Sequence, residues 1–203
     1  SVAERRRFCP KKGTLLLRCA RFLTRWLQSY AAEFKDAEST RMSLERLLGP
    51  QIEPQHIYSD NAPEIIKAVE DKGWNGRHDT STPNRPATNG IAEHAVRQCK
   101  EGASAVLLQV GFQPAWRADA MSYYAFVHNV AAKLSDGKTR YEKRFGVKFS
   151  GPLYPFGCEI TYKPSSPVVR QQMHPLASKV LSGVFLVYKQ RVWGGWSGDL
   201  YVV

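Results

Sequence analysis

Tyr58-Ser59-Asp60-Asn61-Ala62-Pro63-Glu64 and Ser81-Thr82-Pro83-Asn84-Arg85-Pro86-Ala87-Thr88-Asn89-Gly90-Ile91-Ala92-Glu93 are the two stretches that decide how this chain is read. The first closes a short apolar run, His56-Ile57-Tyr58, that reads as a strand, so Asp60 stands at a strand's carboxyl end. The second is a loop rich in Pro, Asn and Thr that opens into a long amphipathic helix, with Glu93 near its start. A strand end and a helix can deliver two carboxylates to divalent metal ions, the layout that metal-assisted phosphoryl transfer needs. Each acid also has a plainer reading. Asp60 can cap the helical pattern that begins at Ala62. Glu93 is favoured at a helix start by the helix dipole alone. Arg97 at i+4 can pair with it inside the helix. Alternatively, Arg97 and Lys100 on the same face place two cations where they would grip phosphates beside a metal ligand. His78, Arg85 and Asn89 add polar and cationic reach before the helix, and each also suits an ordinary solvated position.

The pattern outside these stretches is that of an α/β chain. Thr14 to Cys19 reads as a buried strand, and Arg25 to Tyr30 as its hairpin partner. Asp36 to Leu48 has helical spacing and is stopped by Gly49-Pro50. Ala62 to Lys72 is a second helix ending at Gly73. A short extended segment follows from Asn75 to Thr80. From Gly90, the apolar stripe Ile91, Ala95, Cys99, Gly102, Val106 and Val110 runs to a stop at Gly111. Pro114 fits the first turn of another helix reaching about Ala132. There Trp116, Ala120, Tyr123, Tyr124 and Val127 are core candidates, with an intermolecular surface as the other use of the aromatics. Thr139 to Phe145 reads as a short helix. After Gly151-Pro152 the composition turns to proline, glycine and aromatics, with short apolar runs at Glu159–Tyr162, Val184–Tyr188 and Leu200–Val203. The expected organisation is a basic irregular stretch over 1–12, a core over 13–150 and a small β-rich extension over 151–203. Lys163, Arg170, Lys179, Lys189 and Arg191 lie between aromatics in that extension, which suits nucleic acid or a solvated β-unit equally. The glycine-rich Trp193 to Asp199 stretch reads as a turn.

With 203 residues, 43% of them hydrophobic and 11% aromatic, the chain can build a sizeable core. A net charge of +11 and a pI near 9.6 point to a polyanionic partner. No run approaches the roughly 18 apolar residues that would span a membrane. The start, Ser-Val-Ala-Glu-Arg-Arg-Arg, has neither an initiator Met nor an apolar signal core, so the chain reads as a piece of something longer and not as a secreted protein. Cys9, Cys19, Cys99 and Cys158 show no metal or disulfide spacing and read as thiols in a reducing compartment.

Taken together, the ordered motifs resemble the integrase catalytic core of retrotransposons and retroviruses, of the copia-like kind. They are Thr24-Arg25-Trp26, Tyr58 to Glu64, His78 with Ser81, Pro83 and Pro86, Asn89 to Glu93, Tyr141-Glu142-Lys143-Arg144-Phe145-Gly146, and Gly183 to Tyr188. The resemblance runs from about Leu15 to the C-terminus. It implies a ribonuclease H-like fold, a five-stranded mixed sheet flanked by helices. It implies an Asp, Asp, Glu triad holding two Mg2+ or Mn2+ ions, with Asp60 at the second Asp and Glu93 at the Glu. It also implies DNA as partner, self-association into dimers or higher oligomers, and a nuclear setting. The activity implied is DNA integration: trimming of a DNA end, then in-line attack of its 3′-hydroxyl on a target phosphodiester. Two departures stand out. His94 replaces the family's Arg after the Glu, and no Asp precedes Asp36 where the first triad Asp belongs. The expectation is a core lacking its first strand, or a decayed element, with little or no strand transfer by this chain alone. The alternative function is a catalytically dead, DNA-binding remnant of a transposable element.

Overall fold

The computed structural model describes residues 3–5, 13–19, 24–32, 34–49, 52–82, 90–163 and 180–203. Eight strands and five helices follow in order: β1 (Ala3–Arg5), β2 (Gly13–Cys19), β3 (Trp26–Ala32), α1 (Ala37–Leu48), β4 (His56–Ser59), α2 (Pro63–Glu70), β5 (Arg77–Thr80), α3 (Gly90–Val110), α4 (Arg117–Ala131), α5 (Arg140–Phe145), β6 (Glu159–Tyr162), β7 (Leu181–Gln190) and β8 (Trp196–Val202). A 3-10 turn, Pro114–Trp116, leads into α4, and another, Val192–Gly194, joins β7 to β8.

Local chemistry explains where the helices start and stop. The Asp36 carboxylate accepts from the Ser39 N–H at 2.7 Å, satisfying one of α1's orphan donors. Thr139 and Glu142 form a reciprocal capping box at α5, and Gly146 closes it in the left-handed region at φ 74. The stripe of α3 buries Ala95, Cys99, Ala103 and Leu107. Ala95, Cys99 and Ala103 are small, and α4 comes close. At Gly102 the approach is tightest, because a Cβ there would lie 2.1 Å from the Tyr124 ring.

The mixed α/β class and the β-rich C-terminal sheet agree with the sequence reading. The ladders are three among the described residues, where the resemblance implies one central sheet. β2 and β3 are antiparallel, β4 and β5 are parallel, and the third sheet runs β1-β8-β7-β6. β1 pairs parallel with β8, Ala3 opposite Leu200 and Arg5 opposite Val202, through backbone groups that leave no side-chain signature. Among the described residues, the outer edge of β3 meets a side chain and no strand at Leu27. The Leu27 N–H donates to Asn129 Oδ1 at 3.0 Å, and Asn129 Nδ2 donates to the Leu27 carbonyl at 2.5 Å. The Asn129 amide thus stands in for a neighbouring strand and fixes α4 against β3.

Two apolar clusters share α4. One joins α3 and α4 to Leu27, Phe156, Leu186 and Val187. The other gathers Phe126, Tyr162, Phe185, Tyr188, Leu200 and Val202. Trp116, Tyr123 and Tyr124, each partly buried, pack against the first. A third, smaller cluster holds Leu44, Ala68 and Val69 with Ile57, Ile65 and Trp74. Cys99 is fully buried, which pushes its thiol up to about 12, and like Cys158 it is unbridged. Cys9 lies outside the described residues.

Asn129→Ala would orphan a buried N–H and a buried carbonyl at Leu27, and should cost about 3 kcal/mol, read as a shift in the urea unfolding midpoint. His128 stacks on Tyr124 with ring centroids 5.7 Å apart. Burial first, and the Arg140 cation second, hold its imidazole down at about 4. Its folded pKa therefore lies below the unfolded value near 6.5, so the unfolded chain binds more protons between those pH values. Stability should fall as pH drops through that window, by up to about 3 kcal/mol, and His128→Gln should flatten the dependence in thermal unfolding run from pH 7 to 4.

Candidate functional site

β4 and β5 run side by side in the same direction, His56 opposite Arg77 and Ser59 opposite Thr80, so both carboxyl ends open onto one edge. Ligands of parallel α/β sheets commonly sit at that edge. Asp60 follows β4 directly and is exposed. The Ser59 hydroxyl donates to the Asp60 carbonyl at 2.8 Å and lies 2.9 Å from His78 Nε2. With the hydroxyl proton committed, Ser59 Oγ accepts from the His78 Nε2–H. His78 is thereby tied to the backbone at Asp60. The Lys35 ammonium reaches Glu64 Oε1 at 2.9 Å. Its pKa is raised, chiefly by that hydrogen bond, with a smaller contribution from the negative charge of Asp60. Asp79, on β5, is held below its usual range first by the Arg77 hydrogen bond and then by His56.

The capping reading of Asp60 is not realised, whereas Glu93 does occupy the first turn of α3, where the helix dipole favours an acid. The N-cap of α2 is Ala62, which offers no side-chain bond, and Pro63 follows it, a residue with no N–H to satisfy. Among the described residues the Asp60 carboxylate has no hydrogen-bond partner. Glu93 lies exposed in the first turn of α3. Among the described residues it forms no ion pair with Arg97, and Lys100 is likewise exposed and unpaired. The backbone therefore does not use either acid for capping, nor α3 its charges for self-pairing.

Asp60, His78, Lys35 and Glu64 gather at the β4 edge, and Glu93, Arg97 and Lys100 share α3. Arg85 and Asn89 lie outside the described residues. Lys189 of the C-terminal sheet sits 3.8 Å from Asp199, and Arg170 and Lys179 also lie outside. Sequence reasoning did not find Lys35 or the Ser59–His78 bond. The register of β4 against β5 creates the bond, and the segment between β3 and α1 brings Lys35 to Glu64 on α2; no residue pattern near Asp60 announces either.

Carboxylates are the donors a hard divalent cation takes. Among the described residues, however, no cluster of three His, Cys, Asp or Glu side chains forms. Among the described residues that donor set falls short of a resident metal centre.

No family model and no curated protein matches the chain. Solved structures that it resembles include retroviral integrase catalytic core domains and a retroviral intasome. The BIV integrase catalytic core domain shares 21% identity over 57% of this chain and 75% of that one, with a TM-score of 0.42. The HTLV-2 integrase catalytic core domain in complex with magnesium, trimeric form, shares 17% over 64% of this chain and 91% of that one, at 0.47. The simian T-cell lymphotropic virus intasome, in complex with the PP2A regulatory subunit B56 gamma, shares 17% over 95% of this chain and 74% of that one, at 0.49.

Because both acids are exposed and neither carboxylate has a hydrogen-bond or ion-pair partner among the described residues, Asp60→Asn and Glu93→Gln should each change the unfolding free energy by less than about 0.5 kcal/mol, measured by urea denaturation. A loss comparable to that of Asn129→Ala would make them structural.

Proposed function

We propose that this chain is an integrase-type core that binds DNA and takes part in polynucleotidyl transfer during DNA integration. The observation that carries the reading is the pair of exposed carboxylates, Asp60 and Glu93, the second sharing its helix with Arg97 and Lys100, which form no ion pair among the described residues. On this reading Asp60 and Glu93 are the chain's contribution to a Mg2+ or Mn2+ site. Such ions, when bound, supply charge stabilisation at the attacking and leaving oxygens of a phosphodiester. Arg97, Lys100, His78, Arg85 and Asn89 form the DNA-proximal group. Arg97 and Lys100 neutralise backbone phosphates, which positions a duplex without reading its sequence. The net charge of +11 favours that encounter. A third carboxylate is needed for strand transfer, so this chain alone turns over DNA little or not at all.

The lack of a three-donor cluster among the described residues favours a second reading, a DNA-binding remnant without chemistry. Both readings require duplex binding that weakens steeply with salt. Arg97→Gln and Lys100→Gln should each reduce the slope of log affinity against log salt by about 1, measured by fluorescence anisotropy. The readings part on the cation. Under the first, Mn2+ binding followed by electron paramagnetic resonance is lost in Asp60→Asn and in Glu93→Gln. Under the second, no Mn2+ binds at those positions and DNA affinity is the same in the Glu93→Gln variant. Magnesium-dependent strand transfer abolished by Asp60→Asn would show that a third ligand is already present. Absence of salt-dependent duplex binding would defeat both.

A further inference from the structure

β1 is only three residues long, and β8 is the one element with which it makes extensive contact among the described residues. Its successor in the chain, β2, belongs to a separate ladder with β3. Among the described elements, then, β1 is held by the pairing of Ala3–Arg5 with Leu200–Val202. That pairing is parallel, so no tight turn ties the two strands together.

The acceptor edge is set from its other side. Val203 exchanges two backbone bonds with Val184, its carbonyl accepting at 2.7 Å and its N–H donating at 3.1 Å. The backbone of Val203 therefore turns to β7, and by strand alternation so does that of Tyr201. Leu200 and Val202 turn their N–H and carbonyl groups the other way, toward β1. Their side chains are 7% and 0% exposed within the aromatic cluster, so this edge is rigidly placed. The register sets Glu4 opposite Tyr201, between those two residues. In a parallel ladder that makes Glu4 the residue whose N–H and carbonyl answer the edge, while the N–H groups of Ala3 and Arg5 point away from β8.

An edge that is filled through backbone groups cannot tell a segment of its own chain from the same segment of another copy. We propose that the Leu200–Val202 edge is a strand-acceptor site, and that its partner in trans is the Ala3–Arg5 segment of a second copy, exchanged reciprocally. The exchange remakes in trans every bond it breaks in cis, so tether length and concentration decide between the two arrangements. Residues 6–12 can bridge less than about 30 Å, which requires the two C-terminal sheets to lie close together in the exchanged pair. A short tether keeps β1 near its own edge at an effective concentration on the order of 1 mM, so the pair forms as the chain approaches that range. The proposal is independent of Asp60, Glu93 and DNA.

The test is sedimentation of the full chain from about 10 μM to about 1 mM, a range that brackets the tether's effective concentration from below. A monomer is expected at the low end and a growing share of dimer at the high end. Glu4→Pro removes the N–H that faces β8 and should abolish the dimer. Ala3→Pro removes one that faces away, and Glu4→Gln keeps the backbone, so both should leave it unchanged. The free peptide Ser1–Arg7, in excess over the chain, should occupy the edges and return the unaltered protein to monomer. The same peptide carrying Glu4→Pro should not. A chain that stays monomeric throughout overturns the proposal, as does a dimer that survives Glu4→Pro or that the peptide leaves intact. Equal loss of dimer in Ala3→Pro and Glu4→Pro would overturn the assigned register. If Glu4→Pro fails to fold by circular dichroism, the two peptides decide on the unaltered chain.

Discussion

The side-chain amide of Asn129 replaces a β-strand, and the arrangement of the helices depends on that substitution. Leu27 needs a partner for both its backbone groups at the uncovered edge of β3, and a helix cannot offer its own, since these are used internally. A buried asparagine on the helix surface can. Its neighbours extend the tie. The Trp26 indole N–H donates to Gln28 Oε1 at 2.8 Å, and Gln28 Nε2 donates to Gln190 Oε1 at 2.8 Å, which carries the link on to β7. The Arg144 guanidinium lies 5.0 Å from the Trp26 ring and donates to the carbonyls of Trp193 and Leu47. The hairpin, α1, α4, α5 and the C-terminal sheet are thus fixed around one short stretch, Trp26 to Gln28.

This anchorage has a bearing on the charged helix. α3 is held chiefly by its apolar stripe against α4, and α4 is held by Asn129. Glu93, Arg97 and Lys100 face outward from a helix whose inner side is rigidly packed. Their charges are kept apart from structural work, so their positions depend on packing and not on mutual pairing. The β4 edge is organised differently. There the acid is positioned by strand register, with Ser59 and His78 fixing the chain on which Asp60 sits.

The sequence made some of this plain and concealed the rest, for physical reasons. α1, α3 and α5 were readable because caps and stops are local chemistry: Asp36, Thr139 with Glu142, and the glycines at 49, 111 and 146. β6 was readable residue for residue from its apolar run. β1 was not, because it pairs through backbone alone. For Asp60 and Glu93 the sequence held two interpretations of each; the geometry of α2's cap removed the capping role of Asp60, while Glu93 keeps its place in the first turn of α3. Asn129 could not have been singled out, as nothing about one asparagine in a helical pattern tells of a strand edge 102 positions away. The bond that Arg140 Nε donates to the Arg25 carbonyl, 115 positions away, was hidden by the same kind of distance.

Gly102 sets the spacing between α3 and α4, and this makes it a mechanical adjustment point. Any bulkier residue there would act as a wedge against the Tyr124 ring, tilting the outer helix while leaving every charged group chemically intact. Variation at this single inward position could re-aim a whole row of exposed charges, so relatives of this chain could diverge in what they grip without altering one residue of the gripping surface.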